Sequence, residues 1–373
     1  MSATVTSTNL FQERCQKAQA VMAENNLDYL FIGPGADLHY LIGTPGMENE
    51  RMMLFVLPRE GNPVMIVPAL EKLATSKHAT FFELLDWRDD EGPQKRLKQI
   101  LGRGGAVRSA VGDHLWSMFL LELQQVLPEG QWSRASQILK KLRITKSADE
   151  VKLMKEAAAI ADKTFSELVT LKFAGRAERE VMGDINALLL KYGQEQMYFC
   201  IVGSGPNGAQ PHHHTGDRII QPGEMVVLDF GGGYKGYCSD MTRTVLVEGG
   251  QPDPDYQKVY DIVNEARAAG HRQARPGVSC ESVDAAARAV ITEAGYGEFF
   301  VHRTGHGIGM EVHEEPYIVG GNSLTLEPGM AFSIEPGIYL PGRFGVRIED
   351  IAIITENGEE NINLSTHELV RVK

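Results

Sequence analysis

At 373 residues, 43% of them apolar, the chain is long enough to bury two globular cores. Acidic residues outnumber basic ones 49 to 37, and the net charge of −12 is not gathered in a tail, so nucleic acid is excluded as a partner. No apolar run reaches the roughly eighteen residues that a membrane span requires.

The first thirty residues lack a basic start followed by an apolar core, so no secretory signal is expected. Four scattered cysteines, Cys15, Cys200, Cys238 and Cys280, form no CxxC pair. Free, packed thiols in a reducing, cytoplasmic setting are the expectation. LDYLFI, from Leu27 to Ile32, is a short apolar run that stops at Gly33-Pro34-Gly35. Arg51 to Pro68 reads as two strands around a Glu60-Gly61-Asn62-Pro63 turn. Leu115 to Leu127 has helical spacing and stops at Pro128. Ser147, with Glu150 three residues later, forms a capping box that opens a new helix. Arg143 to Ser147 is therefore the expected boundary between an α/β unit, residues 1–145, and a second domain, residues 146–373.

The second domain repeats itself. Shifted by 102 positions, Gly175, Val181, Ala187, Gly193, Gly203 and Gly205 fall on Gly277, Val283, Ala289, Gly295, Gly305 and Gly307. Shifted by 106, Pro222-Gly223 meets Pro328-Gly329, Asp229 meets Glu335, and Gly231 meets Gly337. Each copy runs through a glycine, an amphipathic helix, a strand and a carboxylate-bearing strand, which is the signature of duplication. Two such halves facing each other create a cleft with Asp229 and Glu335 on opposite sides.

Acids or a histidine interrupt apolar strands at Asp229 (VVLDF), Asp240 (SDMTRT), His306 (TGHGIG), Glu335 (SIEPG) and Glu349 (GVRIEDI). A carboxylate in such a position is costly unless something neutralises it. Arg243 and Arg347 are available to pair with one or two of these acids. A metal centre accounts for all five together: four carboxylates and a neutral imidazole carry a charge that two divalent cations cancel. An oxygen-rich set with one imidazole favours ions such as Mn²⁺ over the thiolate-rich sites of structural zinc. Two ions about 3.5–4 Å apart share a water and lower its pKa towards neutrality. The Gly203-Ser204-Gly205-Pro206-Asn207-Gly208 run has GxGxxG spacing. Pro206 removes a backbone N–H that a phosphate cradle would use, however, and no acidic ribose-binding residue follows. Of the consecutive His212, His213 and His214, at most two can face a single site.

At these residues the chain resembles the prolidase and aminopeptidase P family, the pita-bread metallopeptidases that include methionine aminopeptidase. The resemblance covers most of Lys146 to Leu369 and is carried by SGPNGAQPHH, VVLDFG, SDMTRT, HRTGHGIGMEVHEEP, SIEPGIY and GVRIEDI. It implies an α+β fold: a pita-bread, creatinase/aminopeptidase-like catalytic domain with pseudo-twofold duplication, preceded by a smaller creatinase-like α/β domain. It also implies that Asp229, Asp240, His306, Glu335 and Glu349 hold two divalent ions, Mn first with Co or Zn as alternatives. In that scheme Asp240 and Glu349 serve both ions and Glu335 doubles as a proton shuttle. His212 and His313 match catalytic histidines, and His302 matches one that binds substrate. Arg347 matches an arginine that orients ligand carboxylates, and it is grouped with His302 and Tyr317 on the substrate side. One departure stands out. Some prolidases carry a carboxylate-binding arginine where this chain has Tyr317, which leaves Arg343 as another candidate cation near that end.

The activity implied is hydrolysis of Xaa-Pro bonds, preferentially in dipeptides, by a hydroxide shared between the ions. The alternative is aminopeptidase P action on longer peptides. A binding protein that keeps the fold without catalysis, and another dinuclear hydrolysis such as phosphotriester cleavage, are the rivals from other classes. The only partners expected are the small Xaa-Pro peptide and a second copy of the chain in a homodimer.

Overall fold

The computed structural model describes residues 3–102 and 105–373, and the chain divides between Arg143 and Ile144 into two compact units. In the first, α1 (Ala3–Glu24) is followed by β1 (Tyr29–Ile32), α2 (Ala36–Ile42), β2 (Leu54–Pro58) and β3 (Val64–Pro68). Then come α3 (Lys72–Ser76), β4 (Glu83–Trp87), α4 (Gln94–Leu101), β5 (Arg108–Val111), α5 (Ser117–Val126), β6 (Gln131–Arg134) and α6 (Ser136–Arg143). The six strands form one mixed sheet in the order β4-β3-β2-β1-β5-β6. The expected two strands around Glu60–Pro63 are β2 and β3, paired antiparallel. Helix α5 stops short of Pro128 because the residue before a proline is pushed out of helical geometry. Leu127 has left the helical region, with φ −121° and ψ 69°.

The second unit opens on α7 (Ala148–Leu168). The Ser147 hydroxyl accepts from the Glu150 N–H, and the Glu150 carboxylate accepts from the Ser147 N–H, so the capping box is complete. There follow α8 (Glu178–Tyr192), β7 (Gln196–Ser204), β8 (Met225–Tyr234), β9 (Tyr237–Cys238) and β10 (Met241–Val247). After α9 (Tyr256–Gln273) and α10 (Cys280–Glu293) come β11 (Gly305–Gly307), β12 (Glu314–Ile318), β13 (Ala331–Ile334) and β14 (Gly337–Leu340). The chain closes with β15 (Phe344–Arg347), β16 (Asp350–Thr355), β17 (Gly358–Asn361) and β18 (Arg371–Val372). One sheet runs β18-β10-β8-β7, with β9 against β8, and a second runs β12-β11-β13-β16-β17.

The duplication is visible in hydrogen bonds. Gly175 N–H donates to Ile220 and Gly277 N–H to Leu326, each at 2.9 Å. Isolated bridges join Ala177 to Ile219 and Ser279 to Thr325 at the same offsets. Both glycines hold positive φ, 80° and 89°, where a side chain would be strained.

Strand alternation decides what faces where. Val226, Leu228 and Phe230 of β8 pack with Val181, Ile185 and Phe165 of the helices. Phe332 and Ile334 of β13 pack with Val283 of α10 in the other half. The residues of opposite parity, Asp229 on β8 and Ser333 with Glu335 on and after β13, are sent to the other face of each sheet.

Candidate metal centre

That other face closes around a cavity of about 970 Å³ lined by Asp229, Asp240, His306, Glu335 and Glu349. Asp229 lies mid-strand on β8, directly opposite Thr242 of β10. Asp240 immediately precedes β10. Glu349 stands between β15 and β16, its N–H bonded to the Thr242 carbonyl at 3.1 Å. His306 is the middle residue of β11. A Cβ on Gly305 would fall 1.8 Å from the Ser333 carbonyl oxygen, and one on Gly307 2.2 Å from that of Glu315. Only glycine on both sides lets this short strand sit so deep.

Asp240, His306 and Glu349 each offer an atom within 4.8 Å of the others, and all three are buried. The His306 Nδ1 faces the Gly307 carbonyl at 3.1 Å, which leaves Nε2 towards the acids. That nitrogen lies 3.4 Å from Glu335 Oε1 and 3.6 Å from Asp240 Oδ2. Burial, then His313, pushes the His306 imidazole down to about 3, so its lone pair is free at neutral pH.

Each carboxylate is half-held. Asp229 Oδ2 accepts from Arg347 at 2.6 Å, and Glu349 Oε2 accepts from the Thr242 hydroxyl at 2.6 Å. The other oxygens, Asp229 Oδ1 and Glu349 Oε1, are buried with no hydrogen-bond partner, as is Asp240 Oδ1. Buried polar atoms are nearly always paired, so three orphans on neighbouring acids require an explanation. Burial and mutual repulsion raise the Asp240 and Glu349 carboxyls far above the ordinary range. Burial likewise lifts Glu335 to about 7, against the pull of Arg347. Divalent cations fit this donor set: hard oxygens, one neutral imidazole, and an excess of negative charge.

Around this floor the expected substrate groups are spread unevenly. His212 and His313 line the cavity and are exposed, with the His313 ring edge-on to His306 at 4.1 Å. His302 also lines it, with Nε2 2.8 Å from the Tyr339 hydroxyl. Burial, then the Arg347 charge, pushes its imidazole down to about 3. His213 and His214 border the cavity as well, in an irregular loop rather than a strand. His213 is fixed by Glu178 at 2.8 Å.

Four substrate-side expectations need correction. His302 has both ring nitrogens taken, Nδ1 by the Arg303 carbonyl at 2.7 Å and Nε2 by the Tyr339 hydroxyl, so it shapes the wall instead of binding substrate. Arg347 donates to Asp229, to the Tyr339 hydroxyl at 2.8 Å, to Thr242 at 3.2 Å and to the Pro211 carbonyl at 3.3 Å. With its donors engaged by the protein, it orients Asp229 and the cavity wall instead of gripping substrate. Tyr317, half-buried on β12, is not among the lining residues, because the Arg303 guanidinium covers its ring at 4.4 Å from the centroid. Arg343 is bound by Asp253 and Asp255, at 2.6 and 2.8 Å. It has no place on the cavity wall.

Sequence reasoning missed Thr242 and Tyr339, which lie inside the quoted SDMTRT and SIEPGIY runs. It also missed Glu178, whose partners lie 26 to 35 residues away.

Known proteins agree with this architecture. The description "Metallopeptidase family M24" matches residues 152–356, and "Creatinase/Prolidase N-terminal domain" matches residues 14–145. The probable dipeptidase PepE of Mycobacterium tuberculosis is 44% identical over 371 residues, covering 97% of each chain. The Xaa-Pro dipeptidase of Lactobacillus helveticus is 35% identical, covering 92% of this chain and 94% of its own. The crystal structure of recombinant prolidase from Thermococcus sibiricus superposes with a TM-score of 0.92 at 37% identity, over 97% of this chain and 99% of its own. The chain therefore belongs to metallopeptidase family M24, whose members work with divalent metals, and it carries the creatinase/prolidase N-terminal domain ahead of its catalytic unit.

Proposed function

We propose that this enzyme is an Xaa-Pro dipeptidase that uses two divalent ions, Mn²⁺ foremost, held by Asp229, Asp240, His306, Glu335 and Glu349. The observation that carries the reading is the trio of buried, unpartnered carboxylate oxygens beside His306 on the cavity floor. When bound, the ions supply polarisation of the scissile carbonyl and of the attacking water.

The chain's own residues supply the rest. A proline nitrogen is tertiary, so a peptidase of Xaa-Pro bonds cannot rely on a substrate N–H at that position. Recognition has to come from the free amino end, the carbonyl and the carboxylate. His313 lines the cavity as a donor for the carbonyl oxygen as it gains charge, while His302, held by the Arg303 carbonyl and the Tyr339 hydroxyl, shapes the wall beside it. Glu335 accepts from the Ser333 hydroxyl at 3.3 Å and lines the cavity, where its carboxylate would meet the reacting water. It takes the water's proton and passes it to the proline nitrogen as the C–N bond breaks. Arg347 holds Asp229, and Thr242 holds Glu349, in the orientation that the ions require.

Assaying Ala-Pro beside Ala-Pro-Ala with Mn²⁺ present tests the reading. Strong preference for Ala-Pro is the expected result. Equal turnover of both makes the enzyme an aminopeptidase P, and turnover of neither sinks the proposal.

A further inference from the structure

Only two cations, Arg303 and Arg347, line the cavity among the described residues, and the two are in opposite situations. Arg347 is 3% exposed and bound to Asp229. Arg303 is partly exposed and has no acidic partner or side-chain hydrogen bond among the described residues. It lies two residues before β11, and Thr304 N–H is tied to the Ile318 carbonyl at 3.0 Å, which brings it beside Tyr317 of β12. The guanidinium lies 4.4 Å from the Tyr317 ring centroid. Stacking on an aromatic face fixes the plane of an arginine while leaving its edge donors free, and that edge is the fork that pairs with a carboxylate.

The surroundings suit an anion at this point and nowhere lower in the cavity. The floor's donors are committed to the proposed cations and its one arginine to Asp229. Arg303 and His313 share the cavity wall. The exposed His313 ring offers a further donor on the same wall. Resting on the dipeptidase reading above, we infer that Arg303, braced on Tyr317, is the residue that receives the C-terminal carboxylate of an Xaa-Pro dipeptide. Tyr317 is then a positioning residue for that cation, which accounts for an uncharged residue at its place. This makes Arg303 the determinant of dipeptide over longer substrates.

The test compares Ala-Pro with Ala-Pro-amide in the Mn²⁺-loaded full-length enzyme and in Arg303→Gln, Arg303→Lys and Tyr317→Leu. The wild type should favour the free acid by roughly ten- to a hundredfold in kcat/KM. In Arg303→Gln that preference should collapse to near unity, with amide turnover changed less than about threefold and metal content unchanged. Arg303→Lys should restore part of it, because charge returns without the fork. Tyr317→Leu should weaken the preference mainly through KM. Competitive inhibition by free L-proline over prolinamide should follow the same order, a readout that does not depend on turnover of the variant. A parallel loss of acid and amide in Arg303→Gln, or a preference that survives it, overturns the assignment while leaving the dipeptidase reading intact. Should Arg303→Gln fail to fold, an undiminished preference in Tyr317→Leu overturns it in the same way. A wild type that cleaves no Xaa-Pro peptide overturns the dipeptidase reading, and this inference with it.

Discussion

His306 and Glu335 face each other across 3.4 Å, yet their substitutions should fail differently. His306→Ala removes the one imidazole from the donor set, so bound metal and turnover should fall together. Glu335→Gln keeps the shape and one ligating oxygen but cannot carry the proton, so turnover should drop by about 10²–10⁴ while metal content falls far less. Elemental analysis beside Ala-Pro kinetics separates the two, and near-normal turnover in metal-filled Glu335→Gln refutes the shuttle role. These acids were legible in the sequence because a carboxylate inside an apolar strand contradicts its local pattern. Arg343 and Arg303 were not. A surface arginine has no pattern to contradict, and what decides its role is whether a distant acid reaches it. Asp253 and Asp255, 88 to 90 residues upstream, capture Arg343, while no acid among the described residues captures Arg303.

Among the elements, the first turn of α8 ties the histidine-bearing segment to the helical layer. Glu178 is fully buried there and accepts from Ser204 N–H at 2.8 Å, Ser204 Oγ at 2.7 Å and Asn207 at 3.0 Å, with His213 at 2.8 Å. Burial raises its carboxyl, but these hydrogen bonds outweigh it and hold the group below the usual range. The folded state therefore binds the proton more weakly than the unfolded chain. Its stabilisation is complete above the unfolded value, about 4.3, and is lost as pH falls through the lower folded value. Glu178→Gln should cost about 1–3 kcal/mol at pH 7, since it leaves donors without an acceptor. The gap to wild type should narrow as unfolding is repeated at pH 4 and below, and a gap constant across that range counts against the linkage. Capping box and Glu178 both begin a helix, and only one was readable. Ser147 and Glu150 satisfy each other within a single turn, whereas nothing in the first turn of α8 announces what Glu178 holds. Its partners belong to a strand and a loop that the helix pattern does not mention.

At the scale of the whole molecule, the proposed metal centre lies between two half-domains that also share apolar clusters, Met225 and Leu246 with Ile338 and Phe344 in one and Tyr237 and Cys238 with Ile308 and Ile351 in another. Asp229 and Asp240 belong to the sheet of β7, β8 and β10, while His306 and Glu335 belong to that of β11, β13 and β16. Each pair of ionised carboxylates about 4 Å apart repels by about 4 kcal/mol at an effective dielectric near 20. Protonation relieves this without metal, which is the sense of the raised Asp240 and Glu349. Divalent ions relieve it by binding the folded state alone, which adds about 2.7 kcal/mol for one site at a hundred times Kd. Stabilisation by Mn²⁺ should therefore be local in origin. Hydrogen exchange should slow in β8, β10, β13 and β16 on loading, and chelation should reverse this, while β1 to β6 of the N-terminal unit stay unchanged. Loading should saturate at two ions per chain, as four carboxylates require. Saturation at one ion with full activity refutes the dinuclear site. Equal protection of both units refutes the idea that the ions act by joining the two halves of the catalytic one.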